Sequence, residues 1–175
     1  HVKTAEHYKR FSTETMADLA TTVNGGGYDS NSFAVILGDI VFDNYEQVEN
    51  VKTSLKNSPV PVFPCFGNHD CSSSVGTTEL DLISKYQEHF GPVDYSFNIG
   101  NVHFVSMKNM IYEGGTPYGT EGHSYVQGIL DHQLEWLRKD LAAVPDKENK
   151  LILMCVHIPL RGTGNTSKNY KAVVQ

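Results

Sequence analysis

Three apolar runs in this chain end in residues able to bind metal ions, and that repetition constrains the fold more than any other feature. Phe33-Ala34-Val35-Ile36-Leu37 leads into Gly38-Asp39, and Val60-Pro61-Val62-Phe63-Pro64-Cys65-Phe66 into Gly67-Asn68-His69-Asp70. Leu151-Ile152-Leu153-Met154-Cys155-Val156 leads into His157. A short continuous apolar run closed by a polar residue reads as a strand buried on both faces of its sheet. In an open α/β sheet the carboxyl ends of such strands form one edge, where residues remote in sequence meet. The expectation is an α/β domain that gathers Asp39, Asn68, His69, Asp70 and His157 at one edge. Pro61 and Pro64 demote the second run from an ordinary interior strand, yet it stays apolar up to Gly67.

The segments between the runs supply the connections. Apolar residues from Thr4 to about Val23 recur at near-helical spacing and stop at Asn24-Gly25-Gly26-Gly27. Val48, Val51 and Leu55 mark a crossover helix, and Leu80, Ile83, Tyr86 and Phe90 another that Gly91-Pro92 closes. Tyr95–Ile99 and Val102–Met107 flank Gly100-Asn101 and predict a hairpin. Leu130, Leu134, Leu137, Leu141 and Val144 predict a helix. Residues 108–128 show no period and read as a long loop, and loops of that length in a compact domain usually carry function. No internal repeat or linker divides the chain, so residues 1–175 read as a single domain.

Composition excludes some partners. A net charge of −6 without a Lys/Arg cluster leaves nothing to follow a nucleic-acid backbone. No apolar run reaches the roughly 18 to 20 residues that span a bilayer. Three irregularly spaced cysteines make neither a disulfide framework nor a zinc ribbon, and Cys65 and Cys155 read as core residues.

The residue types at the expected edge suit a dinuclear site. A carboxylate such as Asp39 bridges two cations, the Asn68 amide oxygen adds a ligand without charge, and His157 supplies a neutral nitrogen. Two cations about 3.5 to 4 Å apart activate water and clamp phosphoryl oxygens during in-line attack. In an extended segment His69 points away from its neighbour Asn68, toward substrate. There an imidazole oriented by Asp70 can protonate a leaving alkoxide. Arg161, four residues past His157, is placed to grip a phosphate, and Tyr112 and His123 to touch the leaving group. Each of these has a plainer reading: Gly-Asp as a turn, His157 as a core histidine, Arg161 as a solvated loop residue.

Gly38-Asp39, Gly67-Asn68-His69-Asp70 and His157 together resemble the middle motifs of the calcineurin-like metallophosphoesterases. Gly38–Asn44, Phe90-Gly91-Pro92, Tyr95–Asn98, Gly100–His103 and Gln133–Leu137 are similar to a bacterial branch common in Bacteroides-type organisms. The resemblance implies an αββα sandwich and two divalent ions, drawn from Mn, Fe, Zn or Mg. By it Asp39 bridges the metals, Asn68 and His157 hold the second, and His69 with Asp70 assists departure of the leaving group from a phosphate mono- or diester. Relatives of that branch are often exported to the periplasm or cell surface. The family's opening motif, an Asp with His or Gln two residues later, has no counterpart before Phe33, and its closing Gly-His-x-His is missing. The chain therefore reads as a central piece lacking the first strand and the C-terminal strands, with an incomplete metal site. Such a sheet has an open slot that favours association with another chain. The alternative is a non-catalytic binding module on a degenerate phosphoesterase scaffold.

Overall fold

The computed structural model describes residues 1–28, 32–71, 78–115, 123–160 and 169–174. Thr4 starts the first helix by accepting a hydrogen bond from the His7 amide at 3.2 Å. Helix α1 (Ala5–Arg10) passes through a π-helical turn at Phe11–Thr15 into α2 (Met16–Gly25). The single helix expected here therefore contains a π-bulge, and none of its residues is fully buried.

Strands β1 (Ala34–Ile36) and β2 (Val62–Pro64) pair in parallel across α3 (Val48–Lys56), with Ala34 opposite Val62 and Ile36 opposite Pro64. Val2 adds an isolated parallel bridge to Val41, and its amide donates to the Ile40 carbonyl at 2.8 Å. After α4 (Glu79–Phe90), β3 (Tyr95–Ile99) and β4 (Val102–Ser106) form the expected hairpin. The strand β7 (Leu151–Cys155) pairs in parallel with β4, following α5 (Asp131–Ala143). A short α6 (Tyr170–Val174) comes last.

Two corrections concern burial and loops. Residues 108–128 are not one loop: β5 (Met110–Gly115) and β6 (His123–Gln127) form an antiparallel hairpin, with Tyr112 opposite Tyr125. A register shift between Tyr112 and Gly115 breaks the two-residue alternation that would have announced it. Nor are the first and third runs buried on both faces. Ala34, Val35 and Ile36 are half-buried, and Leu151 keeps 63% of its surface. Among the described residues β7 pairs with β4 alone, so the apolar run has one covered edge.

Layers follow from the contacts. One apolar cluster packs Ile36, Val41 and Phe66 against Val51 of α3 and Tyr86 of α4, with Tyr8 and Phe11 joining. A second packs Val105 and Met154 against Leu134 and Leu137 of α5. Between the sheets lie four phenylalanines: Phe63 meets Phe97 at 4.2 Å between centroids, and Phe33 meets Phe104 at 5.7 Å. The order is helix, sheet, sheet, helix, as expected.

Candidate active site

The three run ends converge. Gly38-Asp39 follows β1, Gly67-Asn68 follows β2, and His157 follows β7 from the other sheet. The close approach of these loops requires glycine. A Cβ on Gly67 would lie 2.2 Å from the Asp39 nitrogen, and one on Gly38, at φ +93°, 2.6 Å from His157 Nδ1. Asp39 and Asp43 both adopt left-handed backbone, at φ 57° and 60°, a conformation that Asp tolerates better than most residues. Buried Asn109 holds the His157 loop: its Oδ1 accepts from the Ile158 amide at 3.1 Å and its Nδ2 donates to the Ile158 carbonyl.

Both oxygens of Asp39 face imidazoles. Oδ2 lies 2.6 Å from His1 Nε2, and Oδ1 lies 3.3 Å from His157 Nε2. His157 Nδ1 donates to the Leu37 carbonyl at 2.7 Å, which turns Nε2 toward Asp39 and toward Asn68 Oδ1, 3.1 Å away. That nitrogen faces two oxygens, donating to them when protonated and open to a cation in their company when not. This set, all nitrogen and oxygen, fits a divalent ion of the expected kinds. On the other side of the carboxylate, His1, Asp39 and His69 bring ligand atoms within 4.8 Å of one another. The residues therefore fit a divalent cation at Asp39.

Electrostatics agree. Burial works to raise the Asp39 carboxyl, but hydrogen bonds from His157 and the His69 amide, with both imidazoles nearby, hold it below the ordinary carboxylate range. The Asp39 hydrogen bond raises the His157 imidazole against the opposing effect of burial. Both shifts express a site that already pairs negative oxygen with a cationic group.

Asp70 and His69 depart from expectation. Asn68–Asp70 is a turn of 3-10 helix, not an extended segment, though Asn68 and His69 still diverge, one to His157 and the other away. Asp70 is fully buried, and its carboxylate accepts from the amides of Gly67 (2.8 Å), Asp39 (2.9 Å) and Val41 (3.0 Å). Burial outweighs those amides and pushes its carboxyl up to about 7. It thus clamps the two loops together, and the carboxylate that orients His69 is Asp43, whose Oδ1 meets His69 Nδ1 at 3.0 Å. The physical reason is the tight turn: it folds the Asp70 side chain back beneath its own loop.

Two site residues escaped the sequence reading, His1 and Asp43. The side of Asp39 where the opening motif was expected to be missing is faced by His1, whose ring nitrogen is one of the atoms that could hold an ion there. His1 carried one signal, an imidazole directly before the apolar Val2, and Asp43 another, a second carboxylate four residues after the first. Tyr112 lies in β5 and packs against the first apolar cluster, as does Tyr125. Burial, with the Asp39 charge second, pushes the Tyr125 hydroxyl up. His123 opens β6, and its side chain, like the whole of Arg161, lies outside the described residues.

Comparison with known proteins fits this arrangement. A family model described as calcineurin-like phosphoesterase matches residues 9–173. The chain belongs to that family. It is also 28% identical over 149 residues to an acid phosphatase type 7 from Danio rerio, a match covering 78% of this chain. The chain spans 30% of the length of that relative. In this calcineurin-like chain the site lies within the matched segment, apart from His1.

Proposed function

We propose that the protein hydrolyses phosphate mono- or diesters with divalent cations that His1, Asp39, Asn68 and His157 would hold. The observation that carries this reading is the Asp39 carboxylate, which turns one oxygen to His1 and the other to His157. His1 would hold a cation on one side of Asp39, beside the His69 ring, while Asn68 and His157 would hold one on the other. When bound, the cations supply Lewis acidity to the phosphoryl oxygens and lower the pKa of water. The chain's own residues do the rest. Asn109 and Asp70 hold the loops, Asp43 orients His69 through Nδ1, and Nε2 of His69 donates a proton to the departing oxygen.

The test is phosphate or phenol release from p-nitrophenyl and bis(p-nitrophenyl) phosphate by protein loaded in turn with Mn, Fe, Zn and Mg. Asp39→Asn is expected to abolish turnover and metal retention together. His69→Ala is expected to lower kcat on an alkyl phosphate about 100-fold or more, and far less on the nitrophenyl esters, while metal content stays constant. Absence of turnover with every ion would favour the binding-module alternative.

A further inference from the structure

The structure assigns Phe42 the role of positioning residue for His69, an inference that rests on the proposed hydrolysis. The Phe42 ring lies face to face with the imidazole, centroids 4.2 Å apart and planes 11° from parallel. His1 meets the edges of both, 5.1 Å from Phe42 and 5.1 Å from His69. The Lys3 ammonium stands 4.8 Å from the Phe42 centroid and holds that ring in turn. One hydrogen bond to Asp43 fixes a single atom of the imidazole and leaves the ring free to swing about it. A stacked neighbour fixes the plane, and with it the direction in which Nε2 points.

Phe42 has no evident structural duty that competes with this one. Val41 before it is fully buried, whereas Phe42 is half-buried, and among the described residues it packs into neither apolar cluster. It carries no proton and no ligand atom, so its effect on catalysis passes through His69. That route leaves a mark specific to the leaving group. A phenolate with electron-withdrawing substituents departs with little help, whereas an alkoxide needs a proton from Nε2.

The experiment compares Phe42→Leu with the unaltered metal-loaded protein on p-nitrophenyl phosphate and on an alkyl phosphate. The expected result is a kcat lowered about 3- to 10-fold on the alkyl ester and less on the aryl ester, with KM unchanged. Phe42→Trp, which restores a flat ring, is expected to recover most of the loss. Equal loss on both esters, or none, overturns the role. A second readout does not need turnover: in Zn-loaded protein the carbon-bound ring protons of His69 should shift downfield on Phe42→Leu as the ring current is removed. If neither ester is hydrolysed but that shift is seen, the hydrolytic reading fails and the stack stands. An unmoved His69 signal overturns the stack itself.

Discussion

Asp43 and Asp70 are two carboxylates beside one histidine, and the geometry divides their work. Asp43 reaches the His69 ring, so Asp43→Asn is expected to reduce kcat about 10- to 100-fold with metal content unchanged, read by steady-state kinetics and metal analysis. Asp70 serves three backbone amides in a fully buried position. Removing it strands donors that cost about 1 to 3 kcal/mol each, so Asp70→Ala is expected to lose roughly 3 kcal/mol or more of stability in urea titration. Sequence alone singled out Gly67-Asn68-His69-Asp70 and paired Asp70 with His69, whereas the His69 ring meets Asp43. Adjacency in the chain suggests contact, whereas a single 3-10 turn sends neighbouring side chains to different loops. His1 was hidden for a different reason: nothing in the sequence reveals the Val2 bridge to Val41, which lays the first residues against the loop after β1.

At the scale of elements, periodicity served where one face of an element meets one core. Helices α3, α4 and α5 and the hairpin of β3 and β4 stand where their spacing predicted. The β5 and β6 pair, with its register shift, carried no such period. What periodicity could not show is how α5 is fixed to its sheet. Asp140 of α5 accepts from the Ser96 hydroxyl at 2.6 Å and lies 2.9 Å from Nε2 of His103, whose other nitrogen is 3.0 Å from Asn98 Oδ1. His103 thus faces the helix from the side of the hairpin opposite Phe104, as strand alternation required. Breaking a buried pair by removing one partner costs about 3 to 5 kcal/mol when both are desolvated, and somewhat less where one is partly exposed. Asp140→Ala is accordingly expected to destabilise the protein by about 2 to 4 kcal/mol in chemical denaturation. Metal stoichiometry should not change, because this cluster lies away from the loops that hold Asp39 and Asn68.

At the scale of the whole molecule, the site sits on a seam. Asp39 and Asn68 belong to loops of the two-stranded sheet, and His157 to the strand that pairs with β4. Elsewhere the sheets meet mainly through the four phenylalanines, and the Tyr95 hydroxyl donates to the Pro64 carbonyl at 2.9 Å. Apolar contact sets a distance between layers but tolerates sliding, whereas ligands converging on one ion fix both distance and direction. Metal held between these loops, as proposed, would act as a cross-link that the unfolded chain lacks, and its binding free energy would add to stability. An ion present at 100 times its dissociation constant contributes about 2.7 kcal/mol by mass action. Chelation is expected to lower Tm, and adding back Mn or Zn to restore it. His157→Ala should abolish most of that dependence, because it cuts the ligand set from one sheet, while His69→Ala should retain it. Calorimetry of the three proteins with and without chelator decides the point: an equal metal-dependent shift in all three would mean that the ion is held within one sheet and that the seam is joined without it.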